Sequence, residues 1–421
     1  MKIALALSAA TLALIAAPAD AQRAPRGERA QPKAAPTPTG QLQAGQRTLA
    51  ISKEARPAIA TLKAAVDARD AAAYATAFPA AQAAVKNADD RYAVATLQLQ
   101  YAQAGTDKAA QIAALEALIA SGGSSAEQVT RYHRAIGELA FETGKFDRSA
   151  QAFEEVARAN PNDYDVLSNI SIVRARQGRD ADAMTALDRA IAAKRATGQP
   201  VPEDWIKRVR GLAFRQKNNP LALRSNYDLL AAYPNAQNWR DALELHQSLV
   251  PLDETGELDR LRLMRAAGAL HGERAYRYMA EVLLQRGFSG EAKSVLDEGV
   301  AKGQVNRSEP TFAALIRQAD TRAAANRGTL ASAEQGLTTA RQFQGIGDAN
   351  YGFGNYAKAA ELYRRALAAG GGDASLLNLR LGMALAQAGD KAGAQTALNA
   401  VTTGPRADLA RYWLLWTNSR A

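Results

Sequence analysis

The sequence predicts an all-α fold, a solenoid of antiparallel helix pairs finished by a C-terminal capping helix. Three observations predict it. Apolar residues recur at helical spacing in paired segments along nearly all of the 421 residues. The pairs recur at roughly 34-residue intervals with glycine-centred turns between their halves. No segment alternates with the two-residue period of a strand, and no βαβ unit can be traced. Abundant alanine, with aromatics at only 6%, suits helices that meet through small residues.

Thr130 to Asp163 (TRYHRAIGELAFETGKFDRSAQAFEEVARANPND) is the clearest unit. Two amphipathic segments flank a turn at Gly144. Gly137 and Ser149 are small enough for the two helices to approach, and Phe153 and Val156 fill the seam. Pro161 ends the second helix, because it has no N–H and its ring obstructs a continuing helix. The positions His133, Ile136, Gly137, Ala140, Ser149, Phe153, Val156 and Pro161 follow the W-x2-L-G-x2-Y, A-x3-F, P pattern. On these residues the unit resembles a tetratricopeptide repeat, with His133 in place of the usual large apolar residue. The resemblance implies a right-handed superhelix that binds protein partners along its concave face.

Residues 1–21 read as a cleaved secretory signal. Lys2 is followed by an apolar run to Pro18, and Ala19-Asp20-Ala21 is an A-x-A cleavage site before Gln22. With no cysteine anywhere, lipid anchoring at the site and disulfides are excluded. No later apolar run approaches the ~20 residues of a membrane span. An exported, periplasmic protein without stable membrane insertion is expected. Residues 22–50 read as a disordered Pro/Ala-rich basic arm. From Gln22 to Pro57 seven basic residues oppose two acidic ones, a balance of +5 within a chain of net charge +10.

Residues 51–125 hold degenerate pairs. Ser52 to Ala68 and Asp70 to Lys86 form the first, with Tyr74, Phe78 and Ala81 on the second helix and Pro79 expected to kink or split it. Arg91 to Ser124 is the next, turning at Gly105. From 126 to 403 the pairs follow closely. Tyr164 to Thr197 turns at Gly178. Asp204 to Asn235 carries Gly211 in the small position and ends at Pro234. Trp239, Ala242, Leu243 and His246 open the next pair, and Tyr276 to Gly299 turns at Gly287. Phe312 to Arg341 is the weakest pair, placed around Gly328. Phe343 to Ala366 and Asn378 to Val401 are again clear, turning at Gly354 and Gly389. Residues 404–421 carry one unpaired helix with Trp413 and Trp416, read as the cap that a repeat array needs at its end. The middle, from Pro202-Glu203-Asp204-Trp205 through Tyr233-Pro234-Asn235 and Trp239 to Val305, is similar to exported proteobacterial tetratricopeptide proteins. That similarity implies a setting near TonB/ExbB-type energy-transduction systems.

No catalytic constellation is present. His133, His246 and His271 are far apart without metal-ligand spacing, so packing roles are expected and neither metal nor cofactor is implied. Gly345 to Gly354 is glycine-rich but follows no strand, as a dinucleotide loop would have to. The neighbours Asp89-Asp90 and Glu154-Glu155 cannot face each other on a helix and read as solvated caps and faces. The non-enzymatic reading therefore leads. The tetratricopeptide resemblance places groove side chains at Arg131, Arg134, Glu138 and Phe141, at Arg176, at Arg274 and Arg277, and at Arg341 and Tyr351. Recurring guanidiniums suit carboxylates, so acidic or C-terminal peptide segments of protein partners are expected. The alternative is an anionic envelope glycan or exported polysaccharide held by the basic surface. Nucleic acid is not an expected partner of an exported chain.

Overall fold

The computed structural model describes residues 41–44 and 47–420, with side chains described from residue 49 onward. Residues 1–21, read as a signal, and most of the expected basic arm lie outside the described residues. The chain forms two compact units, Met1–Ala196 and Thr197–Ala421.

The first unit opens with a hairpin that the sequence did not announce. Strands β1 (Gln41–Ala44) and β2 (Arg47–Ala50) pair antiparallel with Leu42 opposite Leu49. Four-residue strands are too short to show an alternation, which is why a chain expected to be all helical conceals them. Leu49 and Ile51 are buried at its base. Asp90 holds the following turn: its carboxylate accepts from Ser52 N and Oγ and from the backbone N–H groups of Lys86 and Asn87. It is therefore a buried anchor and not the solvated cap expected. Burial raises its pKa, but these hydrogen bonds outweigh that and bring it below the usual carboxylate value.

Four helix pairs follow: α1 (Arg56–Ala68) with α2 (Ala71–Ala84), and α3 (Ala88–Ala104) with α4 (Lys108–Ala120). Then come α5 (Ala126–Glu142) with α6 (Phe146–Ala159), and α7 (Tyr164–Arg176) with α8 (Asp180–Ala196). Helix α2 runs unbroken through Pro79. Pro79 and Ala75 are both exposed, so the carbonyl left without its helical donor faces water. Tyr74 stacks on Phe78 and, at 3.6 Å, on Tyr101 of α3.

The α5–α6 pair shows why the repeat spacing exists. A Cβ on Gly137 would fall 2.7 Å from the Phe153 ring, so only glycine lets the helices meet there. Ser149 Oγ donates to the Gly137 carbonyl at 2.7 Å, making that small residue a tie as well as a gap. Gly144 between the helices has φ +73°, a conformation glycine adopts without steric cost.

The second unit contains α9 (Glu203–Arg215) with α10 (Asn219–Ala232), α11 (Ala236–Leu249) with α12 (Glu254–Ala266), and α13 (Glu273–Gln285) with α14 (Ser289–Ala301). A long α15 (Pro310–Ala333) precedes α16 (Ala340–Gly352) with α17 (Tyr356–Ala369), α18 (Ala374–Ala388) with α19 (Lys391–Asn399), and a final α20 (Pro405–Ser419). Where the sequence places a pair around Gly328, the structure has one 24-residue helix. Gly328 sits inside it with nothing near its Cβ position, and its propensity cost of roughly 1 kcal/mol does not break an alanine-rich run. Gly211 likewise has no close neighbour beyond the Arg215 guanidinium at 4.0 Å, so it is not a tight contact. By contrast, a Cβ on Gly347 would meet Tyr363 at 2.8 Å and one on Gly382 would meet Leu398 at 2.4 Å.

Helix α20 does more than cover the last pair. Besides α18 and α19 it packs on α10 and α12. Trp413 and Tyr412 are 0% exposed. Tyr412 Oη lies 3.3 Å from Asn226 Nδ2, which donates to it, and Trp416 Nε1 donates to the Ala266 carbonyl at 3.0 Å. Tyr227 Oη donates to Asp408, and Arg406 bridges Asp253 and Asp373.

Candidate functional site

The residues expected on a binding face are distributed over both units. In the first, α5 carries Arg131, paired with Glu127, and Arg134, which reaches the helix-capping Asp163 of α7. Glu138, on the same helix, is half-buried, and burial raises its pKa while Arg134 opposes the rise. Phe141 packs its ring against Phe146 at 5.6 Å, and Arg176 is exposed at the end of α7. His133, beside them, is half-buried with no hydrogen bond to Nδ1, and burial lowers its pKa.

In the second unit Arg274 and Arg277 are exposed on α13, the latter 3.9 Å from Glu281, and Arg341 is exposed at the start of α16. Tyr351 differs from all of these. It is 6% exposed, its ring lies 4.9 Å from the Arg262 guanidinium, and it belongs to a charge cluster that crosses five helices.

The cluster is built from α12, α14, α16, α17 and α18. Arg262 donates through Nε and Nη2 to the Glu291 carboxylate and through Nη1 to Asp259 at 2.9 Å. Arg380 donates to Asp348 at 2.6 Å and lies 3.5 Å from Asp259. Tyr363 Oη donates to the other Asp348 oxygen at 2.7 Å. All five charged side chains are at most 5% exposed. Three carboxylates thus share two guanidiniums. Burial raises the Asp348 pKa, and although Arg380 and Arg262 pull it down, it stays above the usual value. Burial would lower Arg262, but Glu291, Asp259 and Asp348 reverse this and hold it well above its ordinary range. Removing either member of such a pair strands the other in low dielectric, so the cluster fixes how these helices pack.

Above Arg262 and Glu291 opens a cleft of about 430 Å³, bordered by α12, α14, α15 and the α16–α17 turn. Its carboxylates already have partners. Glu291 takes Arg262, Glu298 takes Arg265 and Lys302, and Asp297 takes Lys293. Several donors do not. Arg327 lies over the Phe353 ring at 5.0 Å, and neither it nor the hydroxyls of Tyr351 and Tyr356 make a hydrogen bond among the described residues. Burial raises both tyrosine pKa values, so each hydroxyl keeps its proton. Among the described residues no group of histidine, aspartate and glutamate is arranged to hold a metal ion. The surface offers hydrogen-bond donors, and no nucleophile is paired with a base.

Sequence reasoning found Tyr351 and missed the rest of this site. Nothing in the repeat pattern singles out Asp259, Arg262 or Glu291, whose contacts join different helix pairs. A usable signal was present: α12 keeps charged residues on every face, and Asp259, Arg260 and Arg262 are all buried. A helix charged all round is expected to be solvated, unless neighbours supply counter-charges.

The folded arrangement is that of a helix-pair repeat protein. A tetratricopeptide repeat family matches residues 134–200 and 345–410, and these two segments are tetratricopeptide repeats. Among solved structures, the chain is similar to the MamA protein at 15% identity, over 57% of this chain and 91% of that chain, with a TM-score of 0.21. It is similar to the TPR2AB domain of yeast Sti1 in complex with pHSP90 at 12% identity, over 70% and 100%, with a TM-score of 0.26. The P58(IPK) TPR domain is similar at 12% identity, over 87% and 99%, with a TM-score of 0.24. No curated protein matches the chain.

Proposed function

We propose that this protein is an exported, non-enzymatic scaffold that binds protein partners. The observation that carries the reading is the pair of tetratricopeptide segments, 134–200 and 345–410, since stacked helix pairs present extended surfaces for polypeptides. Residues 1–21, with the Ala19-Asp20-Ala21 site, support export to the periplasm. No helix among the described residues is long and apolar enough to cross a membrane. The motif residues of the middle segment support a place beside an envelope energy-transduction or transport complex. They build one junction: Tyr233 Oη donates to the Val201 carbonyl, and Asn238 joins Glu203 to the Tyr233 carbonyl.

The test is in-cell crosslinking of the full chain, with the N-terminus of the fractionated protein sequenced alongside. The scaffold reading expects a chain beginning at Gln22 and protein crosslinks that weaken when Arg131, Arg134, Arg274 and Arg277 are reversed to glutamate together. A chain retaining Met1 overturns export, and crosslinks indifferent to the reversal overturn this face as the contact. The basic balance of 22–57 favours a second reading, binding of an anionic envelope polymer. That binding would fall steeply with salt, whatever the partner's sequence.

A further inference from the structure

We propose that the cleft between α12, α14 and the α16–α17 turn is an oxyanion site, and that it takes a carboxylate presented by an acidic side chain of a bound polypeptide. The proposal rests on the scaffold reading and names the chemistry of one contact. Apart from Tyr351 and Gly352 at the end of α16, its lining lies off the first-helix face on which the repeat pattern puts binding residues. The cleft is walled by the second helices α12 and α14 and by the turn after α16.

The argument is an account of donors and acceptors. Of the four lining cations, Arg262 is paired with Glu291 and Asp259, Arg265 with Glu298, and Lys293 with Asp297 and Asp320, which leaves Arg327 as the lining cation without a carboxylate. Each carboxylate has a cation in hydrogen-bond or ion-pair contact, so the cleft has little to offer a positive ligand. The unspent capacity is all donor. Arg327 has its guanidinium over Phe353 and no carboxylate, and Arg265 uses Nε on Glu298 and Nη2 on Ser294, leaving Nη1. Tyr351 is more than nine-tenths buried, lines the cleft, and has no acceptor for its hydroxyl. The ring is buried but the hydroxyl opens on the cleft, so an acceptor arriving from outside can take that donor in place of water.

One guanidinium without a carboxylate matches a monoanion better than a phosphate dianion, and its fork matches a carboxylate in shape. The aromatic wall of Phe353 and Tyr351 accommodates the methylenes that carry a glutamate carboxylate. The volume, about 430 Å³, suits a side chain and not a folded element. Arg262 cannot be the ligand's partner, because its three nitrogens are committed to Glu291 and Asp259. It serves as a positioning residue that holds Glu291 and the Tyr351 ring.

The test uses the full mature chain and a fluorescent oligoglutamate peptide, with oligoglutamine, succinate and inorganic phosphate as parallel probes. The expected result is saturable binding of oligoglutamate and none of oligoglutamine. Arg327→Gln weakens it by roughly tenfold, and Tyr351→Phe by a few fold. Lys391→Gln, exposed on α19 and outside the cleft, leaves it unchanged. Arg327 is exposed, so its variant folds, and near-ultraviolet circular dichroism checks Tyr351→Phe. Absence of oligoglutamate binding, or affinities indifferent to both variants, overturns the proposal. Binding of succinate or phosphate with oligoglutamate excluded overturns the polypeptide source. If in-cell protein crosslinks persist while oligoglutamate fails to bind, the cleft assignment fails and the scaffold stands. If no protein crosslinks form with the wild type, the scaffold reading fails by itself.

Discussion

Arg262 and Glu291 meet through two parallel hydrogen bonds, Nε to Oε1 at 2.9 Å and Nη2 to Oε2 at 2.6 Å, with neither side chain more than 3% exposed. The two residues come from α12 and α14, and their contact locks one helix pair to the next. An ion pair this dry stabilises only while both halves are present. Replacing Arg262 with methionine leaves Glu291 unpaired in low dielectric and Asp259 with only Arg380, at 3.5 Å. The expected loss is about 3–5 kcal/mol, read by urea unfolding of the full chain. A loss under about 1 kcal/mol, the range of exposed pairs, would show that water reaches this cluster.

The glycines divide into two groups with opposite expected responses. Gly382→Ala forces a Cβ against Leu398 and should destabilise by about 1–3 kcal/mol. Gly328→Ala meets nothing and lies within a helix, so it should stabilise α15 by up to about 1 kcal/mol. Thermal unfolding of both variants separates the two, and equal shifts would refute the close-contact account.

Trp413 is 0% exposed and packs edge-on against Trp416 at 5.2 Å. Trp413→Ala should cost about 3–5 kcal/mol, most of it in unfolding of the second unit. Hydrogen exchange resolves the location. Protection should fall in α10 and α12 as well as α18 and α19. Loss confined to the last pair would make α20 a simple end cap.

His246 is 0% exposed, has no hydrogen bond on either ring nitrogen, and meets Tyr412 edge-on at 5.5 Å. Burial lowers its pKa from the ordinary 6.5; Asp408 and Glu257 oppose that shift, and Arg260 adds to it. A histidine with a depressed folded pKa contributes stability that is fully present above the unfolded value. That stability is lost as pH falls below about 6.5 and through the folded pKa. One proton limits the slope to about 1.4 kcal/mol per pH unit. Denaturant titrations between roughly pH 7.5 and 5 should show this slope in the wild type and a shallower one in His246→Phe. Parallel slopes would mean that other groups account for the acid sensitivity.

Much of the fold was legible because the repeat fixes both small and large residues at given offsets. Gly137 against Phe153 and Gly347 against Tyr363 follow from spacing alone. What escaped depends on distance along the chain or on very short elements. The hairpin at 41–50 is too brief for a period. The Phe312 to Arg341 segment mimics a pair because glycine resembles a turn, although helix propensity on either side carries through it. The charge cluster was hard to read because Arg262–Glu291 and Asp348–Arg380 join helices across 29 and 32 residues, and its one sign, the all-round charge of α12, does not say which faces turn inward. Tyr351 was selected for an exposed position, and the structure has it buried over Arg262.

The packing of α20 on α10 has a temporal consequence. Asn226 and Tyr412 are separated by 186 positions, and Trp416 and Ala266 by 150. A chain made of independent repeats can acquire structure as each pair is synthesised, but the second unit cannot close until α20 has left the ribosome. Loop closure over that length slows the last step without greatly weakening the product. Under the proposed export, threading through a membrane requires an unfolded chain, and a unit whose core waits for α20 stays threadable until that helix is made.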